Sequence, residues 1–322
     1  MAVFTKVSQN DLKSFLKNYD LGNLESFDGI NEGIQNTNYI INTNKSKFIL
    51  TLFEDERVLG SLEYFFAYME HLAIKNIPCA APIHAKNGQV IFDLCERKAA
   101  IVNFLPGKWP KTIKKHHCSE IGKYSAQMHL AAEDFKPSRP NPNPDILYLY
   151  KKLQKQGKNI DSFRPGICEE IEKAIKYILD NWNDALPSGA VHGDLFQDNA
   201  LFEGEKLTGI IDFYMAHDDF YVADLANTLT QWCFEYNAEF NVTKSQALLA
   251  SYNNVRKLNK SEIKALPILA AAAAMKWFLA RLYTWFNPPK GEMVNQKDPL
   301  EQLQKLRFHL QVENADEYGY RL

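Results

Sequence analysis

The chain has 322 residues, 46% of them apolar, enough to bury a large core in one or two domains. A formal net charge of −2 offers no basic surface that would select nucleic acid or an anionic membrane. The five cysteines (79, 95, 118, 168, 233) form no Cys-x-x-Cys pair, and residues 1–6 lack the apolar core of a signal peptide. A reduced, cytoplasmic protein with buried or idle thiols is expected, not a zinc or disulfide scaffold.

In chain order, Ser8 caps a short helix whose inner face is Leu12, Phe15 and Leu16. Strands are predicted over 24–28, 39–41 and 47–53, with a loop rich in Gly and Asn, 29–38, joining the first two. Such a loop can turn its backbone N–H groups toward phosphates, although most loops of this composition are plain hairpin turns. Leu62, Phe65, Phe66, Met69 and Leu72 predict a helix over 59–75, ended by Ile77-Pro78. Asn87-Gly88 is a hairpin-turn signal, and strands over 90–94 and 99–104 complete a sheet. Five strands and one long helix make a first lobe, 1–104, joined through Leu105-Pro106-Gly107 to a second, 105–322. The second reads as helical over 117–132, 146–155, 167–182, 221–232, 245–253, 261–286 and 299–309, with a loop of four prolines over 136–144. The most apolar run, 268–286, contains Lys276 and Arg281 and reads as a buried helix, not a membrane span. His116-His117-Cys118 has no second ligand pair at a zinc-like spacing and reads as a helix start.

The chemistry lies at 191–213. Val191-His192-Gly193-Asp194 is followed by Asn199, and an apolar segment then ends in Asp212-Phe213. Short strands over 199–202 and 207–211, turning at Glu203-Gly204-Glu205, would carry Asp212 back beside Asn199. Gly193 lets the backbone pass close to a ligand. Kinase-type phosphoryl transfer needs a carboxylate to accept the acceptor hydroxyl's proton, and oxygen ligands for the Mg²⁺ ions that bridge the phosphates of ATP. Asp194 is therefore the candidate base, and Asn199 and Asp212 are the candidate metal ligands. A lone His-Gly-Asp would be weak; the whole set is specific. With that site downstream, Gly33, Asn36 and Asn38 of the 29–38 loop become candidate phosphate contacts. Asn103 and Leu105 become the candidate backbone edge for adenine.

These residues resemble the aminoglycoside-phosphotransferase and choline-kinase superfamily, in which His-Gly-Asp stands where protein kinases carry His-Arg-Asp. Within it the chain resembles the homoserine kinases. The matching residues are Asn31-Glu32-Gly33 with Asn36-Thr37-Asn38-Tyr39, Phe104-Leu105-Pro106-Gly107, Asp224-Leu225-Ala226, Trp277 with Arg281-Leu282, and Gly291-Glu292-Met293 with Lys297-Asp298-Pro299. The resemblance implies a two-lobed, protein-kinase-like α+β fold: a small five-stranded antiparallel N-lobe and a larger helical C-lobe. It implies transfer from Mg-ATP to the hydroxyl of L-homoserine, in threonine biosynthesis.

Homoserine would bring an ammonium, for which Asp218 or Asp219 is a candidate. It would also bring a carboxylate, for which Arg281 is the candidate, with an internal salt bridge, for example to Asp224, as the alternative. Kinases carry a Lys on the third strand where this chain has Thr51, as the homoserine-kinase pattern also does. Arg57, Lys45 and Lys47 are the candidates to balance phosphate charge in its place. Kinases for other small alcohols (choline, methylthioribose, aminoglycosides) and a nucleotide-binding pseudokinase stay open. Arg281 in the pocket would argue against a choline or aminoglycoside acceptor, and retention of Asp194, Asn199 and Asp212 together argues against a pseudokinase. The expected partner is a small molecule, with no nucleic acid or membrane, and the expected state a monomer or homodimer.

Overall fold

The computed structural model describes residues 4–30, 36–142, 146–157, 159–183, 185–288 and 297–321. The chain forms two compact units. The first is Met1–Lys108 with Leu201–Glu203 and Thr208–Tyr214; the second is Trp109–Ala200, Gly204–Leu207 and Met215–Leu322.

In the first unit, helix α1 (Gln9–Leu16) starts at Ser8, whose hydroxyl accepts from the Asp11 N–H, and buries Leu12, Phe15 and Leu16. Strands β1 (Leu24–Gly29), β2 (Thr37–Thr43), β3 (Lys47–Phe53), β4 (Phe92–Leu94) and β5 (Arg97–Asn103) form one antiparallel sheet in the order β1-β2-β3-β5-β4. In β2, Thr37, Tyr39, Ile41 and Thr43 are buried in strict alternation, the period of a strand with one face on a core. That core joins Tyr39, Ile41, Leu50, Leu52 and Ile101 of the sheet to Leu12, Phe15 and Leu16 of α1.

The helix predicted over 59–75 is α3 (Leu62–Ile74), and a separate short helix, α2 (Glu56–Leu59), capped by Asp55, precedes it. Gly60 and Ser61 lie between them, the former a poor helix residue, the latter out of helical conformation at φ −121°. Asn87-Gly88 does turn the chain, with Gly88 at φ 84° and its N–H on the Ala85 carbonyl at 2.9 Å. It does not join two strands of the sheet, because β4 begins only at Phe92. The hairpin here is β4–β5, turned by Cys95 and Glu96 at φ 50° and 61°, the two positive angles that a type I′ turn requires.

The second unit is built on helices α4 (Lys115–Ala132), α5 (Ile146–Gln154), α6 (Ile167–Asp180), α7 (Tyr221–Trp232), α8 (Val242–Val255), α9 (Lys260–Phe286) and α10 (Pro299–His309). Helices α4 and α8 pack closely, and a Cβ at Gly122 would lie 2.1 Å from the Leu248 carbonyl oxygen. Helix α9 is the hub, packed by α5, α6, α7 and α10. By length and composition it could cross a membrane, but 56% of its apolar stretch is buried within the protein. Its start is fixed by a reciprocal cap between Asn259 and Glu262.

Between α6 and α7 the chain runs through β6 (Ser188–Val191), the hairpin β7 (Ala200–Glu203) and β8 (Lys206–Ile210), and β9 (His217–Phe220). Strands β6 and β9 pair antiparallel, a small sheet that sequence reading missed. All five cysteines are free thiols.

Candidate active site

Strand β6 delivers the chain into the loop 192–199, which closes in a 3₁₀ turn over Gln197–Asn199. Gly193 sits at φ 74°, and a Cβ there would meet His217 Cε1 at 2.7 Å and the Met215 carbonyl at 3.0 Å. Both the angle and the space demand glycine. The loop backbone is tied down on either side of Asp194. The Gly193 N–H donates to Asp224 Oδ1 (2.9 Å), and Trp232 Nε1 donates to the Leu195 carbonyl (2.8 Å). The Asp194 carbonyl accepts from Asn199 Nδ2 at 2.8 Å, and the same nitrogen lies 3.5 Å from Asp194 Oδ2. The two polar side chains are thus brought together, and with Nδ2 engaged, Oδ1 is the Asn199 atom left to face a cation.

Asp224, buried in α7, is the inner end of a chain of hydrogen bonds. Its Oδ2 accepts from His129 Nε2 (3.1 Å), and His129 Nδ1 accepts from the Tyr252 hydroxyl (2.7 Å). Arg256 donates to that hydroxyl (3.2 Å) and to Glu262 Oε1 (2.8 Å), the carboxylate that also caps α9. Burial alone would raise the Asp224 pKa. The His129 and Gly193 donors outweigh it and hold the carboxyl below its ordinary range.

Beside Gly193, wholly within the second unit, lies a cavity of about 230 Å³. Its polar lining comprises Asn141, His217, Asp219, Asp224, Asn227 and Lys276, and apolar side chains from α6 and α9 complete it. Asp219 is firmly placed: Oδ1 accepts from the Phe220 N–H (2.7 Å), and Oδ2 lies 3.3 Å from both His217 Nε2 and Asn141 Nδ2. A cavity with room for a small acceptor, beside a loop that brings a carboxylate and an amide oxygen together, matches in kind what alcohol phosphorylation needs.

The chain is similar to known proteins over nearly its whole length. The model of the phosphotransferase enzyme family matches residues 26–258. Homoserine kinase of Agrobacterium fabrum is 43% identical over 99% of this chain and 99% of its own length. That of Acidiphilium cryptum is 44% identical over 99% of this chain and 100% of its own. The chain belongs to the homoserine kinases of the phosphotransferase enzyme family. Among solved structures, an amicoumacin kinase in complex with AMP-PNP and Ca²⁺ superposes with a TM-score of 0.67 at 15% identity, covering 95% of this chain and 93% of that one. A spectinomycin phosphotransferase in complex with ADP and spectinomycin gives 0.67 at 14% identity, with 98% of each chain covered. These likenesses show the kinase-like α+β fold.

Within this family fold, the second unit holds Asp194 and Asn199, and the first holds Asp212, at φ 63° after β8. A non-glycine residue in that region is uncommon, Asp among the more tolerant types, and such strain concentrates at functional positions. Asn36 and Asn38 brace the base of their loop: Asn36 Oδ1 accepts from the Glu54 N–H (3.3 Å), and Asn38 Oδ1 from the Thr51 hydroxyl (2.7 Å). Gly33, the rest of Asn31-Glu32-Gly33, and Gly291-Glu292-Met293 lie outside the described residues. The Asn103 N–H is already engaged by the Ala81 carbonyl (3.0 Å) and its Oδ1 is buried without a partner, whereas the Leu105 N–H makes no hydrogen bond among the described residues. Of the cations considered beside Thr51, Arg57 pairs with Asp55 (2.6 Å) with its side chain 83% exposed, and Lys45 pairs with Asp20 (2.8 Å).

Of the candidate substrate contacts read from sequence, Asp219 lines the cavity, whereas Asp218 and Arg281 do not. Asp218 Oδ2 accepts from the Arg139 N–H (3.1 Å) and from the Ser138 hydroxyl. Arg281 donates to Glu301 Oε2 (2.7 Å) and the Asp298 carbonyl (3.0 Å), so its salt-bridge partner is Glu301 and not Asp224. Sequence reasoning missed Lys276 as a site residue. The signal was present, a Lys inside the apolar run, but Arg281 drew the attention. Five helical residues apart, the two point about 140° away from each other, so they cannot serve one pocket.

Proposed function

We propose that the chain transfers the γ-phosphoryl group of ATP to the side-chain hydroxyl of L-homoserine, giving O-phospho-L-homoserine. The observation that carries this reading is the fixed Asp194–Asn199 loop opening on a cavity of amino-acid size. Full-length similarity to homoserine kinases supports the choice of acceptor. Asp194 accepts the hydroxyl proton as the oxygen attacks the γ-phosphorus and the bond to the β-bridging oxygen breaks, releasing ADP. Its carbonyl, bonded to Asn199, keeps the carboxylate aimed. The first unit covers the nucleotide, with the open Leu105 N–H toward the adenine edge and Asn36 and Asn38 shaping the phosphate loop.

The donor set suits a hard cation. Asn199 Oδ1 and the Asp212 carboxylate would hold Mg²⁺, with most ligands coming from phosphate oxygens and water. Bound there, the metal neutralises phosphate charge. Among the described residues no three His, Cys, Asp or Glu side chains form a metal cage. Asp212→Asn is expected to raise the Mg²⁺ concentration needed for half-maximal rate and to lower the rate itself. A Mg²⁺ titration of that variant that overlays the wild type removes Asp212 from the metal site. The function as a whole is tested by ADP release from Mg-ATP over a panel of amino and sugar alcohols, with L-homoserine expected to give the highest kcat/KM.

A further inference from the structure

We propose that Lys276 binds the carboxylate of the acceptor and so makes the site choose an amino acid over an amino alcohol, an inference that rests on the homoserine reading above. Lys276 projects from α9 into the cavity beside Gly193, with Asp219 and Asn227 on the same lining. It makes no hydrogen bond or ion pair among the described residues. Among the described residues, the most deeply shielded other cations of this unit have carboxylate partners: Arg256 with Glu262 (2.8 Å), Arg281 with Glu301 (2.7 Å), Lys305 with Glu301 (2.7 Å) and Lys244 with Glu235 (2.6 Å). Lys276 Nζ lies 5.8 Å from the centroid of the Trp277 ring, a weak contact; a shielded ammonium without a hydrogen-bonding or carboxylate partner is costly, and a fold keeps one where a ligand completes it. Burial lowers the Lys276 pKa, while Asp219, Asp194 and Asp224 act from a distance in the opposite sense.

The cavity thus presents separated charges of both signs. Asp219 has lone pairs beyond those taken by Phe220, His217 and Asn141, and they are available to a substrate ammonium. No ion pair joins Asp219 to Lys276 among the described residues, which leaves both for the zwitterionic head of an α-amino acid. The adjacent Gly193-Asp194 peptide then receives the hydroxyl end. A quaternary amine or a polycationic sugar would meet the Lys276 charge as repulsion, which gives specificity by exclusion as well as by attraction.

The test compares L-homoserine with 3-aminopropan-1-ol, which is homoserine without its carboxylate, using purified full-length chain and Mg-ATP. The wild type is expected to prefer homoserine strongly. Lys276→Met should raise the homoserine KM by about 10- to 150-fold, the worth of one charge-assisted hydrogen bond, and leave the KM values for aminopropanol and ATP near wild type. Lys276→Gln, which keeps a polar side chain but not the charge, should show the same collapse of preference. Arg281→Lys should lower the melting temperature and leave the homoserine KM unchanged. Equal loss with both acceptors, an unchanged homoserine KM in both Lys276 variants, or a rise confined to Arg281→Lys would each overturn the assignment. A wild type that shows no preference for homoserine would instead defeat the functional reading itself, before any variant is made.

Discussion

Asp194→Asn is expected to lower kcat by about 10²- to 10⁴-fold, the usual worth of a positioned general base. The substitution is close to isosteric, and the loop is anchored by groups other than the carboxylate. Its anchors are backbone groups: the Gly193 N–H on Asp224, the Leu195 carbonyl under Trp232, and the Asp194 carbonyl on Asn199. An amide oxygen can still accept a hydrogen bond from the substrate hydroxyl, so homoserine binding should weaken little. What it cannot do is take the proton as the oxygen attacks. The KM for ATP should stay near wild type, because the proposed nucleotide contacts are the phosphate loop and the Leu105 edge. Steady-state kinetics and a melting curve on one preparation decide the point. A kcat within threefold of wild type removes Asp194 as the base, and a large loss accompanied by a collapsed melting temperature assigns it a structural duty.

Much of this site was legible because its signals are local. The His192-Gly193-Asp194 to Asn199 spacing fits within one loop, so no long-range placement had to be guessed. Helix α10 begins at the predicted Pro299 because Asp298 caps it and Pro at the first turn loses no hydrogen bond. Strands β6 and β9 were not legible: Ser188-Gly189-Ala190-Val191 carries no alternating pattern, and His217-Asp218-Asp219-Phe220 is mostly polar. They exist because each supplies the other's hydrogen bonds, and because the Asp218 N–H reaches the Arg139 carbonyl at 2.7 Å. The same missed strand explains which of the two candidate carboxylates lines the cavity. Neighbours on a strand face opposite ways, so only one of Asp218 and Asp219 can enter the cavity, and it is Asp219. Composition around Arg281 could not reveal Glu301, twenty residues on in α10, as its partner. That pairing holds Glu301, despite burial, at a pKa of about 2 under the combined pull of Lys305 and Arg281.

Asp224→Ala should produce the largest loss of stability. Removing one partner from a buried charged pair costs about 3–5 kcal/mol, because the group left behind stays desolvated without compensation. Here the orphans would be the His129 Nε2–H and the Gly193 N–H, both deep in the second unit. For a unit of this size that corresponds to a melting temperature lower by about 6–20 °C. The effect should also depend on pH in a defined direction. The wild-type carboxyl titrates below its ordinary range, so its contribution is complete above that range and is lost as pH falls through the folded-state value. The melting temperature of Asp224→Ala should therefore fall less steeply in acid than that of the wild type, and the two curves should converge. Activity carries the functional part of the argument. Asp224 holds the Gly193 N–H and also lines the cavity, so the variant should lose kcat at temperatures where it is still folded, with the ATP KM little changed. A variant with wild-type kcat well below its melting point would show that the Trp232 and Asn199 bonds hold the loop by themselves, and would confine the His129–Asp224 pair to the core.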